Sequence, residues 1–108
     1  MGKMFGNFMQ QLNYKITLHA NHITFHFDQA FEQEDLKALC NKVIPASEHL
    51  NITETMLGAD RLSCRFNFQQ HAFQCHFEIY SQSCWIEAEY PLEEIIFERL
   101  AQFLNSLL

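Results

Sequence analysis

The sequence predicts an α+β fold, a two-layer sandwich in which an antiparallel sheet of about six strands carries two helices on one face. Three observations predict it. Residues 73–90 hold two runs of apolar/polar alternation on either side of Ser81, Gln82 and Ser83. A second pair of alternating runs flanks Ala20 and Asn21. Two other segments, around Leu39 and after Pro91, repeat their apolar residues at helical spacing instead. The chain has 108 residues, 48% of them hydrophobic, which makes one domain with a core that needs no covalent staples. Eleven Phe against three Gly and two Pro favour regular elements with short connections.

Residues 1–12 place Met4, Phe5, Phe8, Met9 and Leu12 at helical spacing, but Gly2 and Gly6 weaken it, so a short frayed helix or a mobile arm is expected there. Tyr14, Ile16 and Leu18 then alternate with polar residues, as do Ile23, Phe25 and Phe27. A two-residue loop at Ala20-Asn21 pairs Leu18 with Ile23, Ile16 with Phe25, Tyr14 with Phe27 and Thr17 with Thr24. Leu36, Leu39, Cys40 and Val43 follow the i, i+3, i+4, i+7 rule of a helix that Pro45 ends. Leu50, Ile52 and Met56 suggest a third strand whose face Glu54 interrupts, and Leu62, Cys64, Phe66 and Phe68 a fourth. Pro91 opens a last helix whose buried stripe runs Leu92, Ile96, Leu100, Phe103 and Leu107. The order is β-β-α-β-β-β-β-α, and 1–108 is a single domain.

Parity decides which side chains reach solvent. Even-numbered residues from 62 to 68 and from 84 to 90, with odd-numbered ones from 73 to 79, look inward. Closing Gln69-Gln70 as a turn sets Leu62 against Phe77, Cys64 against Cys75 and Phe66 against Phe73. Closing Gln82-Ser83 as a second two-residue loop sets Ile79 against Ile86 and Phe77 against Ala88. The polar face then carries the rows Arg61, Glu78, Glu87 and Ser63, His76, Glu89, with Tyr80 facing Trp85.

Two functions follow from that face. In the first, the chain is a non-catalytic protein-binding, adaptor or chaperone-like domain. Its contact residues are Tyr80, Trp85 and Arg61, together with Phe97, Leu104 and Leu108, which widen the last helix's apolar arc beyond a single packing face and so meet either the N-terminal arm or a second copy in a homodimer. In the second, Glu78 and Glu87 share a proton and, with His76 and Glu89, form a small carboxylate- or metal-dependent catalytic site. No sequence motif of a known enzyme class accompanies them, so the first is preferred and no cofactor or metal is expected. His19, His22 and His26 resemble a metal cluster in the sequence, but His26 lies about 13 Å along the strand from His22, too far to share one ion.

Charge and cysteines bound the setting. Seven Lys and Arg against thirteen Asp and Glu leave a formal charge of −6, which repels nucleic acid and anionic membranes and suits a basic protein partner. Cys40, Cys64, Cys75 and Cys84 fall on apolar faces without metal-type spacing, as reduced thiols do in a cytoplasm. No apolar run is long enough to span a membrane, and no signal peptide is visible.

Residues 58–90, GADRLSCRFNFQQHAFQCHFEIYSQSCWIEAEY, with the helix after them, resemble a small uncharacterised bacterial (proteobacterial) family, a domain of unknown function. The resemblance rests on Ala59-Asp60, on the turn region 68–73, and on Glu78, Tyr80, Ser81, Ser83, Trp85 and Glu87 in the pattern E-x-Y-S-x-S-x-W-x-E, and is limited to the C-terminal half. It implies this fold and an intracellular bacterial setting, and assigns no site. The acidic α+β build is also similar to type III secretion chaperones, although those begin with a firm helix that the N-terminal segment here lacks.

Overall fold

A computed structural model describes residues 12–108, so the arm or short helix expected over 1–12 lies, but for Leu12, outside the described residues. The strands are β1 (Tyr14–Leu18), β2 (His22–Phe27), β3 (Asn51–Leu57), β4 (Arg61–Phe68), β5 (His71–Glu78) and β6 (Ser83–Ala88). The helices are α1 (Leu36–Val43), entered through a 3-10 turn at Gln33–Asp35, and α2 (Glu94–Ser106). The strands form one antiparallel sheet in the order β1-β2-β6-β5-β4-β3. The α+β class and the element order are those the alternation predicts.

Strand order was not legible in the sequence. The first hairpin docks on β6, pairing Ile23 with Ile86 and Phe25 with Cys84 on the inner face. That contact continues the apolar inner surface of the β3–β6 meander across the β6 edge. The connection containing α1 then carries the chain over the inner face to β3 at the far edge. Cys40 of α1 meets Cys64, and Phe97 of α2 meets Phe73 edge-on at 5.7 Å. Cys64 and Phe73 share the inner face, so both helices cover the same side of the sheet.

The parity assignment holds within the strands, but Tyr90, also expected to look inward, lies beyond the end of β6 and is 70% exposed. Leu62, Cys64, Phe66, Phe73, Cys75, Phe77 and Ile86 are fully buried, and Phe68 and Cys84 nearly so. The first hairpin has the expected register, with Thr17 opposite Thr24 and Leu18 opposite Ile23. In β3 the register shifts between Ile52 and Glu54, a bulge that lets Ile52 pack inward while Glu54 reaches Arg65 at 3.2 Å outside. The bulge keeps Glu54 out of the core, and it also turns Met56, expected on the same face as Ile52, to the outer side opposite Ser63, where it is 43% exposed.

The β4–β5 hairpin also has its expected register, Cys64 opposite Cys75. Its two turn residues both adopt left-handed backbone, Gln69 with φ 51° and Gln70 with φ 69°. Two-residue hairpins favour this geometry because it matches strand twist, but a side chain bearing Cβ is strained there. The double substitution Gln69→Asn/Gln70→Gly is therefore expected to stabilise the protein by about 1–2 kcal/mol. Urea denaturation would read this as a higher midpoint at unchanged slope, and a lowered midpoint would refute the turn assignment.

Three expectations are corrected. The β5–β6 loop is not the two-residue Gln82-Ser83 turn. Glu78 faces Ser83, which leaves four residues, 79–82, in the loop and brings Phe77 opposite Cys84 and Cys75 opposite Ile86. Gln82 causes this. Its backbone is left-handed at φ 53°, and its N–H donates to the Ile79 carbonyl at 3.1 Å. Its amide side chain accepts from Phe31 N–H at 2.8 Å and donates to the carbonyls of Phe31 and Ile79, each at 2.8 Å. The slip is an even number of residues, so parity survives while every cross-strand partner on β6 changes.

The last helix begins at Glu94, with Pro91 in the extended lead-in. It is also rotated from the expected stripe: Phe97, Leu100, Ala101 and Leu104 are buried, while Leu107 is exposed. Ala101 adds little to a hydropathy pattern, so its presence on the contact side could not be weighed from periodicity. Ile96 and Phe103 flank the contact, with Phe103 against Phe68 at 5.5 Å. Phe97 and Leu104 are thus core residues, each 2% exposed, and present no outer face to a partner. Of the three proposed helix contacts only Leu108 is exposed.

Candidate functional site on the polar sheet face

The face away from the helices has a central row set by register alone. It runs Thr17, Thr24, Trp85, His76, Ser63, Met56 across all six strands. His22, Glu87, Gln74 and Arg65 form a parallel row on one side. Ser83, Glu78 and Arg61 form another on the other side.

His76 is the hub. It is 7% exposed and lies beside Trp85 with ring centroids 5.0 Å apart. Its Nε2 is 3.0 Å from Glu87 Oε1, and its Nδ1 is 2.7 Å from Ser63 Oγ. A carboxylate only accepts, so in the neutral ring Nε2–H donates to Glu87 and Nδ1 accepts from the Ser63 hydroxyl. A serine, a histidine and a carboxylate in series have the composition of a nucleophilic triad. This series is built otherwise. Ser63 is 8% exposed in mid-strand between β3 and β5, where the backbone amides serve the ladder and none converges on a reacting oxyanion. The network instead fixes the plane of His76, and His76 supports one side of Trp85.

Trp85 borders an open depression of about 700 Å³. Its walls include His22, Thr24 and His26 from β2 and Glu78 and Glu87 from the meander. The histidine wall is ordered by its own contacts. His19 and His22 stack with centroids 4.2 Å apart, and Thr24 Oγ1 lies 3.2 Å from both His19 Nε2 and His26 Nε2. Half-buried Trp85 thus lies between an imidazole wall and two carboxylates.

The remaining expected site residues are scattered by the four-residue slip. Glu78 does not face Glu87; it meets Ser81 at 3.2 Å and Arg61 at 3.7 Å. Glu89 pairs with Arg65 at 2.7 Å and Gln74 at 3.3 Å. The shared-proton carboxylate pair therefore does not form, and His76 meets Glu87 rather than Glu89. Tyr80 does not face Trp85 either; it stands on the 79–82 loop, 86% exposed. Among the described residues no three or more His, Cys, Asp or Glu side chains are placed to hold a metal ion. No helix among the described residues is long and apolar enough to cross a membrane.

Sequence reasoning missed Thr24, His22 and His26 as neighbours of Trp85, because nothing in the sequence says that β2 docks on β6. It also missed the Ser63–His76–Glu87 series. Ser63 and His76 were correctly placed as neighbours, and only the β6 register hid Glu87.

Residues 13–108 fit the family described as "Protein of unknown function (DUF3630)". The match takes in the first hairpin and α1 as well as the C-terminal half. No curated protein and no solved structure matches the chain.

Proposed function

The chain belongs to this family, whose description assigns no activity, and we propose from its own surface that it is a non-catalytic protein-binding domain that grips a basic, Arg- or Lys-bearing segment of a partner on the polar sheet face. The observation that carries this reading is Trp85: an indole beside an open depression, backed by His76 and flanked by Glu78 and Glu87. An indole face attracts a guanidinium or ammonium group, and nearby carboxylates add charge-assisted hydrogen bonds. The formal charge of −6 steers a cationic segment toward the surface. Tyr80 on the adjoining loop supplies a second exposed aromatic ring, and Arg61, paired with Glu78 at 3.7 Å, borders the same row.

Phe97 and Leu104 are spent on the core, so this reading does not rest on self-association through α2. The catalytic alternative loses its paired carboxylates. Four buried, unbonded cysteines fit the reducing cytoplasm of a bacterial cell.

Trp85 is the single tryptophan and reports its own site. Titration with an octa-arginine peptide is expected to change its emission saturably, while an octa-glutamate peptide leaves it unchanged. The double variant Glu78→Gln/Glu87→Gln keeps an acceptor for His76 and is expected to weaken binding by about tenfold. An unchanged emission with octa-arginine, or equal binding by the double variant, would refute the reading.

A further inference from the structure

The helix-covered side of the sheet holds a second chemical feature, independent of the groove. We propose that Cys40 and Cys64 are an oxidation site, a dithiol that a peroxide converts to a reversible disulfide joining α1 to β4.

Cys40 lies on the buried side of α1 and is 3% exposed, while Cys64 in β4 is fully buried beneath it. Their sulfurs are 2.9 Å apart, roughly 0.9 Å beyond a disulfide bond of about 2.05 Å, so little movement separates contact from bond. The helix and strand come together from 24 residues apart in sequence, which makes this pairing a product of the fold. The nearby Cys75 and Cys84 sulfurs are farther apart, at 3.9 Å.

Access comes from the Cys40 side. A crevice of about 240 Å³ is lined by Lys37, Cys40, Asn41 and Thr55, and it opens where α1 passes β3. Lys37 stands one turn before Cys40 and lines the same crevice, while the hydrogen bond to Cys64 and burial push the Cys40 thiol up, so Cys40 keeps its proton at rest and Cys64 is placed to take it. Cys64 accepts a hydrogen bond from Cys40 and then one from Cys75, which hold its thiol below the ordinary value, whereas burial pushes Cys75 up. Cys64 is thus the sulfur of the sheet best prepared to attack a neighbour.

The chemistry balances with hydrogen peroxide as the oxidant. The Cys40 sulfur attacks one peroxide oxygen as its proton passes to the Cys64 sulfur, the O–O bond breaks, and the leaving oxygen takes a proton from solvent and departs as water, which leaves a sulfenic acid on Cys40. The Cys64 sulfur then attacks the Cys40 sulfur, the S–O bond breaks, and a second water leaves as the S–S bond forms. Two thiols lose two electrons and two protons, and the peroxide is reduced to two waters. A dithiol reductant reverses the bond.

Peptide mapping of the full, unaltered chain tests this. Trypsin cuts after Lys37, Lys42, Arg61 and Arg65, which puts Cys40 alone in peptide 38–42 and Cys64 alone in peptide 62–65. Cys75 and Cys84 share peptide 66–99. After peroxide treatment, thiols titrated in denaturant are expected to fall from four to two, and the non-reduced digest to contain 38–42 joined to 62–65, both effects reversed by dithiothreitol. Cys40→Ser should abolish the paired loss. Four persisting thiols, a cross-link involving 66–99, or sulfinic acid at Cys40 without a cross-link would each overturn the proposal.

Discussion

Phe77→Ala is expected to cost about 3–5 kcal/mol of folding stability, enough to leave a domain of this size largely unfolded near its physiological temperature. Phe77 is fully buried, faces Leu62 and Cys84 across its two neighbouring strands, and meets Phe31 edge-on at 6.3 Å. Its removal opens a cavity under the loop that leads to α1, and strand neighbours held by backbone hydrogen bonds cannot collapse into it. Trp85→Ala, on the next strand and the opposite face, is expected to cost about 1 kcal/mol, because the indole is only partly withdrawn from water. Urea denaturation of the two variants compares the two faces of the sheet directly. If Trp85→Ala proved the more damaging, the assignment of inner and outer faces would be wrong.

Gln82→Ala is expected to cost about 2–3 kcal/mol, a large effect for a residue on a loop. The Gln82 amide satisfies both backbone groups of Phe31, each at 2.8 Å, and Phe31 is 2% exposed. Without it a buried N–H and a buried carbonyl lose their partner. Alanine also keeps the strain of the left-handed backbone at φ 53°. Gln82→Gly loses the same hydrogen bonds but relieves that strain, so it is expected to be less damaging than alanine by about 1 kcal/mol. The Phe31 amide should exchange with solvent faster in both variants. Equal stability of Gln82→Ala and the parent would mean that the clamp does not set the β5–β6 register.

Gln82 also marks where sequence reasoning stopped. Alternation gave the inner and outer faces of β4, β5 and β6 correctly, because a buried face imposes its period on every residue. The registers of β1–β2 and β4–β5 were legible because two-residue loops leave a single pairing. At residues 79–82 the loop length is decided by one glutamine side chain reaching Phe31, 51 residues away in sequence, and no local pattern encodes that contact. The error moved Glu87 away from His76 and created an apparent Glu78–Glu87 pair. The α2 face failed for another reason. An apolar arc wider than one contact stripe has no unique centre, and only packing against Phe73 reveals that Phe97 lies in the core. The docking of β2 on β6, which places the histidine wall beside Trp85, is a tertiary choice that strand patterns leave open.

The most direct test of Trp85 as a binding anchor is an amide and indole NMR map of the isotopically labelled protein titrated with octa-arginine. The largest shift changes should fall on the Trp85 indole and on Thr24, Ser83 and Glu87, with α1 and α2 unmoved. Changes centred on the helices or on the β3 edge, with the Trp85 indole unmoved, would contradict it.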